Sequence, residues 1–266
     1  VSASPEDLRH IAAALDAVAV MFEDFLSREV TVEHKAPGDP VTEADYAVDR
    51  TLRKLLPRPG EGWLSEETED DGARLDRERV WIIDPIDGTR EFVAGIPEWG
   101  VSIGLVVDGV AVAGGFLNPA SGLRVIGGVG LGCETNGKAT RVSDGPSLAD
   151  TKVLASRSEY GRGEWTRYER HGFTVQPTGS VAHKLALLAA GQGDATWSLI
   201  HKHEWDVAGG VALVEAAGGV CVLPDGSPPR FNQPDPLIDG LISAGPERMV
   251  AIRALIGDDW SPRQER

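Results

Sequence analysis

Trp81-Ile82-Ile83-Asp84-Pro85-Ile86-Asp87-Gly88-Thr89 is the stretch on which both the fold and the chemistry turn. Val80 to Ile83 is an apolar run of strand length, and it delivers two carboxylates into a turn. Pro85 stiffens that turn, and Gly88 lets the backbone approach a ligand closely. If Thr89 to Phe92 opens a helix, its free amides point to the same place, and a helix start binds phosphate well. Carboxylates for a hard metal beside amides for a phosphate form the layout that metal-assisted phosphate chemistry needs. Asp87-Gly88 between apolar runs is equally the signal of an ordinary hairpin turn. The local pattern leaves both readings open.

Working outward, Val101–Val107 and Val110–Phe116 flank Asp108-Gly109, a strong hairpin signal. Short strands continue to about Val142, with a second turn at Asn136-Gly137. Upstream, Trp63–Ser65 reads as a short strand, and the acidic segment Glu66–Glu78 as mostly loop. A helix is expected over Thr42–Leu56, ended by Pro57, Pro59 and Gly60, and His34–Pro40 reads as a loop. The N-terminal helix starts with Ser4, Pro5 and Asp7 in a capping-box pattern, followed by Leu8, Ile11, Leu15, Val18, Phe22 and Phe25 at helical spacing. Asp144-Gly145-Pro146 is the candidate boundary between an α+β half over residues 1–145 and an α/β half over residues 146–266. In the second half, strands are expected at Lys152–Ala155, Phe173–Gln176, Ala195–Leu199 and Gly219–Leu223. Helices are expected at Val181–Ala190, Asp206–Ala217 and Pro246–Ile256, an alternation that argues for a sheet covered by helices.

The 266 residues suffice for a sizeable core, and 41% hydrophobic with 25% charged residues excludes general disorder. Asp and Glu number 41 against 26 Lys and Arg, a formal charge of -15. That balance disfavours a nucleic-acid-coating protein or an electrostatic lipid anchor. Cys133 and Cys221 make neither a disulfide framework nor a zinc set, so a reducing cytoplasm is the expected location. No apolar run reaches membrane-span length, and the first residues lack a signal-peptide pattern.

Other candidates each carry a bland alternative. Glu66 and Glu67 follow a strand end, where α/β sites gather, yet adjacent loop glutamates are usually solvated. Thr42-Glu43-Ala44-Asp45 reads first as a helix capping box. Asp206, after Glu204-Trp205, reads first as an N-cap aspartate. Gly209 and Gly210 cost that helix about 1 kcal/mol each relative to Ala, which suggests that a ligand or another backbone packs close to its first turn. His201-Lys202-His203 is a small cationic cluster without the spacing of a zinc site. No nucleophile elbow, Walker loop or dinucleotide fingerprint is present.

Together these segments resemble the inositol monophosphatase superfamily. Asp84-Pro85-Ile86-Asp87-Gly88-Thr89 looks like its first signature. Glu204-Trp205-Asp206-Val207-Ala208-Gly209-Gly210, running on to Glu215-Ala216-Ala217-Gly218-Gly219, looks like its second. Leu64-Ser65-Glu66-Glu67 and Pro40-Val41-Thr42-Glu43-Ala44-Asp45 are similar to its two shorter motifs, all in family order. The resemblance implies a layered αβαβα sandwich, of the type shared with fructose-1,6-bisphosphatase. It also implies a Mg²⁺-dependent, lithium-inhibited phosphomonoesterase with two or three metal ions, often a homodimer. By the same resemblance Glu66, Asp84, Asp87 and Asp206 would be carboxylate ligands, with Ile86 ligating through its carbonyl. Asp45 and Thr89 would orient the attacking water, the Gly88 and Thr89 amides would receive phosphate, and Glu67 would support the ligands. Four carboxylates in one pocket would hold protons unless cations neutralised them, which agrees with that assignment.

On substrate, the inositol-preferring members carry a glutamate seven residues before the second-signature aspartate, where this chain has Leu199. Gly179-Ser180, followed by a helix bearing Lys184, resembles the bisphosphate-nucleotidase branch instead, as does Thr89-Arg90-Glu91-Phe92. Lys184, Lys202 and His203 would then hold a second phosphate, the alternative for Lys184 being a solvated or snorkelling lysine. The expected substrate is 3′-phosphoadenosine 5′-phosphate. Inositol or other sugar phosphates, and histidinol phosphate, are the alternatives. A non-enzymatic role as an RNA-polymerase-binding protein is disfavoured by the complete catalytic motif set.

Overall fold

The computed structural model describes residues 2–36 and 39–257. The chain runs α1 (Pro5–Phe25), β1 (Val32–Ala36), β2 (Asp39–Thr42), α2 (Glu43–Leu55), β3 (Gly62–Ser65), β4 (Arg79–Asp87), α3 (Thr89–Val93), β5 (Gly100–Val107), β6 (Val110–Asn118), β7 (Leu123–Gly128), β8 (Gly132–Thr135) and β9 (Lys138–Thr140). It continues through β10 (Lys152–Ser156), α4 (Arg157–Gly161), β11 (Thr174–Thr178), α5 (Val181–Ala189), β12 (Ala195–Ser198), β13 (Lys202–His203), α6 (Glu204–Ala216), β14 (Val220–Val222), β15 (Leu237–Ile238), β16 (Leu241–Ala244) and α7 (Pro246–Ile256).

A seven-stranded sheet keeps sequence order, β3 to β9. Only β3 and β4 are parallel; the later pairs are antiparallel. Its β5–β6 hairpin turns at Asp108 and Asn136 closes the β8–β9 turn, and all four turn residues, with Gly109 and Gly137, have positive φ, as tight hairpins require. The second sheet has the order β11-β10-β12-β16-β14, with β10 parallel to both neighbours and β16 antiparallel to both of its own.

Alternation along the strands defines five layers. In β4, Trp81 and Ile83 join the core formed with α1 and α2, whereas Val80 and Ile82 join the core formed with α5 and α6. In β10, Leu154 faces α5 and α6, while Val153 and Ala155 join Trp165, Trp197, Met249 and Ile252 on the far side, under α7. The order is therefore helix pair, seven-stranded sheet, helix pair, five-stranded sheet, helix. The αβαβα expectation holds.

Helix α6 lies directly on the first sheet. A Cβ built on Gly114 would fall 2.2 Å from the Gly209 carbonyl oxygen, and one on Gly209 would fall 2.6 Å from the Ile103 oxygen. A Cβ on Gly210 would meet the Leu185 side chain of α5 at 2.4 Å. The costly glycines of α6 are thus explained by strand backbone and the neighbouring helix, rather than by a ligand. The chain passes from the first sheet to the second between Thr140 and Lys152, and the Asp144 carboxylate accepts the Glu247 and Arg248 N–H groups at the start of α7.

Two expectations need correction. His34–Pro40 is not simply a loop, since Val32–Ala36 pairs antiparallel with Asp39–Thr42. β16, which carries no expected strand, sits between β12 and β14 in the second sheet.

Candidate active site

Strand β4 sets the first two carboxylates. Its pairing with β5 is regular to Asp84↔Ser102 and then shifts register before Asp87↔Gly100. Both carboxylates consequently leave the strand at one end. Asp84 Oδ1 accepts the Ile86 N–H at 3.0 Å. Gly88 follows with φ +94°, and a Cβ there would press on Trp99 at 3.0 Å and on the Glu98 oxygen at 3.1 Å. Asp87-Gly88 is therefore no hairpin turn; the strand ends in a left-handed glycine that hands the chain to α3.

Parallel pairing of β3 with β4 aligns Ser65 with Ile83, so Glu66 emerges beside Asp84. Its N–H donates to the Ile83 oxygen at 3.3 Å. Asp206 arrives from across the molecule. The expected N-cap position is corrected here: α6 begins two residues earlier, at Glu204, and the Asp206 carboxylate accepts the His203 N–H at 3.0 Å. Carboxylate oxygens of Asp84, Asp87 and Asp206 all lie within 4.8 Å of one another.

Such crowding has an electrostatic signature. Burial, then Glu66, Asp87 and Asp206, raise the Asp84 carboxyl well above the usual range. Burial, then Asp87 and Glu66, push Asp206 up to about 8. Asp87 is raised by burial as well, opposed by hydrogen bonds from the Ala182 N–H and the Ser180 hydroxyl at the start of α5. Protein dipoles alone do not neutralise this cluster. Hard oxygen donors packed this closely suit a hard divalent cation, and Glu66 and Ile86 line the same cavity.

Asp45 carries two tasks. Its Oδ2 accepts the Thr42 N–H at 2.7 Å and the Thr42 hydroxyl at 2.6 Å, completing the capping box of α2. Its Oδ1 accepts the Thr89 hydroxyl at 3.3 Å, and that hydroxyl also reaches the Ile86 oxygen at 2.9 Å. Burial pushes the Asp45 carboxyl up to about 6, against the pull of Thr42. Glu67 is not solvated: its side chain is 3% exposed, and Lys35 Nζ lies 2.6 Å from Glu67 and 3.0 Å from Glu66. Burial pushes Glu67 up to about 7 despite that ammonium.

The carboxylate cluster opens onto a cavity of about 560 Å³. Glu66, Asp84, Asp87 and Asp206 line one part of it, and Arg90, Arg157, Lys184 and Lys202 also line it, with Gly88, Thr89, Gly179 and Ser180. Lys184 does not snorkel. It is 4% exposed, its Nζ donates to the Ser180 oxygen at 2.7 Å, and burial pulls its pKa down to about 8 although Asp87 pulls the other way. Lys202 Nζ lies 3.9 Å from the carboxylate of Glu159, which is itself held by Ser198 and Trp165. His203 does not line the cavity; its ring stacks on Trp205 with centroids 4.4 Å apart.

Sequence reading missed Lys35, Arg157 and Glu159. Arg157 follows the end of the parallel strand β10, a position where α/β sites collect, and that was its one available signal. Its guanidinium pairs with Glu98, which also accepts the Gly179 N–H at 2.7 Å. Among the described residues no helix is long and apolar enough to cross a membrane.

A layered fold with a carboxylate cluster at the end of a sheet defines a class of phosphatases, and comparison places the chain within it. The chain belongs to the inositol monophosphatase family, which it matches over residues 5–255. It is 35% identical over 260 residues to an inositol-1-monophosphatase of Mesorhizobium japonicum, covering 92% of each chain. It is 34% identical over 213 residues to a 3′-phosphoadenosine 5′-phosphate phosphatase of Mycobacterium bovis, covering 79% of this chain and 78% of that one. The structure of inositol monophosphatase from Anabaena (Nostoc) sp. PCC 7120 superposes with a TM-score of 0.76 at 26% identity, over 96% of both chains. The protein is accordingly a phosphatase of this family.

Proposed function

We propose that this phosphatase removes the 3′-phosphate of 3′-phosphoadenosine 5′-phosphate, leaving AMP. The observation that carries the reading is the cation set of the cavity. Arg157, Lys184 and Lys202 line the same space as the carboxylates, which suits a substrate with a second anionic group. By the family resemblance, Leu199 stands where inositol-preferring members would carry a sugar-binding glutamate.

Glu66, Asp84, Asp87, Asp206 and the Ile86 carbonyl would hold two or three Mg²⁺ ions. Bound there, Mg²⁺ would supply a water of lowered pKa and neutralise charge on the phosphate. The remaining work falls to the protein. Asp45 and Thr89 share a hydrogen bond beside the cluster, and they orient the water and receive its proton. The Gly88 and Thr89 amides receive the phosphate, at the left-handed turn that only a glycine packed against Trp99 and Glu98 allows. Ser180 and the turn at Gly179 position Asp87 and Glu98, while Lys184, Lys202 and Arg157 hold the second phosphate. Lys35 and Glu67 support Glu66. His203 has no part in this reading.

A second reading is favoured by one observation, the 35% identity to an inositol-1-monophosphatase. Phosphate release from the bisphosphate nucleotide, inositol 1-phosphate, fructose 1,6-bisphosphate and histidinol phosphate, with Mg²⁺ and with lithium added, separates the two. The nucleotide is expected to lead in kcat/KM by about a hundredfold, worth about 2.7 kcal/mol. Lys202→Met should remove most of that lead while sparing inositol 1-phosphate. Equal loss on both substrates, or a lead for inositol 1-phosphate, would overturn the nucleotide reading.

A further inference from the structure

A buried polar strap joins the two segments that bring Glu66 and Asp206 together. Glu204, two residues before Asp206, is 0% exposed. Both of its carboxylate oxygens are taken by backbone donors of one loop: Oε2 by the Asn232 N–H at 2.7 Å and Oε1 by the Gln233 N–H at 2.8 Å. The Glu204 N–H donates in turn to the Pro236 oxygen at 2.9 Å. On the other side, Arg74 lies in the segment that follows Glu66. It is 2% exposed and packs against the start of β3, where a Cβ on Gly62 would meet its Cβ at 3.1 Å. Its guanidinium donates to Asn232 Oδ1 at 2.8 Å, to the Gln233 oxygen at 2.9 Å and to Asp70 at 3.0 Å. The Asn232 side-chain amide completes the ring by donating to the Arg74 oxygen at 3.1 Å.

Two features mark this as more than a loop anchor. A glutamate and an arginine are almost never this buried without a dedicated partner set, and here the partners link residues more than 150 positions apart. Asn232 also holds φ +59°, a left-handed conformation that persists when its surroundings over-determine it. The strap therefore runs from the first turn of α6, which carries Asp206, through the 231–236 loop to the segment behind Glu66. The α6 turn needs such a tether. Gly209 and Gly210 weaken the turn that follows it, and that turn's place on the sheet is a backbone-to-backbone contact.

We propose that Glu204, Asn232 and Arg74 are positioning residues that fix Asp206 relative to Glu66 and so set the cation affinity of the site. The proposal rests on the metal reading of the carboxylate cluster. None of the three touches Glu66 or Asp206; they act through the backbone that carries those carboxylates, so the expected loss is the lower, about tenfold, end of the range seen for groups bonded directly to metal ligands.

The test is calorimetric titration of the metal-free full chain with Mg²⁺, alongside thermal unfolding. Glu204→Gln sets an amide donor against one of the two backbone donors. Asn232→Gly removes both side-chain bonds to Arg74 but eases the left-handed backbone, so it keeps the fold even if Glu204→Gln does not. Both variants are expected to bind Mg²⁺ about tenfold more weakly. The Mg²⁺ concentration for half-maximal phosphatase activity should rise in parallel, and excess Mg²⁺ should restore the lost turnover. Ile252→Val, on the buried face of α7 in the core of the second sheet, controls for loss of stability and should leave Mg²⁺ binding unchanged. Wild-type affinity in Asn232→Gly, or an equal loss in Ile252→Val, would overturn the strap while leaving the metal reading intact. Failure of the wild-type chain to bind Mg²⁺ at all would overturn the metal reading and the strap with it. Asp87→Asn provides the blank.

Discussion

Asp45→Asn should separate stability from catalysis in opposite directions. Asparagine can keep every hydrogen bond of the aspartate. Its oxygen can accept both Thr42 donors, and its amide can donate to the Thr89 hydroxyl, which still reaches the Ile86 oxygen. Only the charge is lost. That charge is costly in the metal-free fold, because burial lifts the Asp45 carboxyl from 3.8 to about 6. The difference corresponds to about 3 kcal/mol. The weaker acceptance of the Thr42 bonds by a neutral group is already contained in that shift, so the gain stays at about 3 kcal/mol. For a chain of this size the gain raises Tm by about 6–12 °C. The sign depends on pH. A carboxyl with a raised folded pKa contributes its stability below its unfolded pKa and loses it as pH rises through the folded value. The two proteins should therefore melt together below about pH 4, diverge as pH rises from 4 to 6, and keep a constant difference above that, with the variant the more stable. Activity should move the other way. On the proposed function Asp45 receives the water's proton, so its loss should lower kcat about 10²–10⁴-fold with little change in KM. Calorimetric melting of the metal-free proteins across pH, and steady-state kinetics with Mg²⁺, read both effects. A variant that melts lower at pH 7.5, or keeps kcat within threefold, would refute the reasoning.

The metal-free wild type should lose stability between pH 6.5 and 8, since Asp206 is pushed up to about 8 and Glu67 to about 7, and both shed protons in that window. His183, pulled down to about 4 by burial, has its effect below pH 6.5 and does not oppose this. Adding Mg²⁺ should reverse the slope, because binding displaces those protons; a pH-independent Tm without Mg²⁺ would contradict it. Gly114→Ala should cost about 3 kcal/mol and lower Tm by about 6–12 °C, because the new Cβ meets helix backbone at 2.2 Å, which has no side-chain freedom to yield. Gly161→Ala, with nothing within 4 Å, should cause no such loss, and equal melting of the two variants would show that α6 can lift from the sheet.

Local signals made much of the fold legible. The Ser4–Asp7 capping box, the Asp108-Gly109 hairpin and the apolar run before Asp84 all concern residues close in sequence, and all stand as read. β1 escaped because its five residues are all exposed and so show no apolar alternation. β16 escaped because four residues after a turn carry too short a pattern to weigh. The site divides in the same way. Asp84 and Asp87 are visible because one strand delivers both. Glu66 depends on a parallel pairing and Asp206 on helix-to-sheet packing, neither of which a local pattern encodes. Glu159 and Glu204 were unreadable for a different reason: charged residues are expected outside, and Ser198 for Glu159 and Asn232 and Gln233 for Glu204 are partners 28 to 39 residues away.

The ambiguities at Asp45 and Asp206 had a physical origin. At each, the bland reading as a helix-start residue competed with the functional one. The structure shows that the two are not exclusive. A carboxylate has two oxygens, and each of these residues gives hydrogen bonds of the helix start one of them: Asp45 Oδ2 serves Thr42, and Asp206 Oδ2 serves the His203 N–H. In Asp45 the other oxygen faces Thr89, and Asp206 also contributes an oxygen to the carboxylate cluster. Capping fixes the rotamer of a side chain that must not wander, and it does so with backbone already present at every helix start. Asp87 obtains the same service from the start of α5, through the Ser180 hydroxyl and the Ala182 N–H. Three helix starts, on α2, α5 and α6, thus orient the acidic groups that burial and mutual repulsion would otherwise scatter. A sequence pattern that reads as a helix cap beside an unexplained acidic neighbour is therefore compatible with a site, and the deciding information is which other helix starts converge on it.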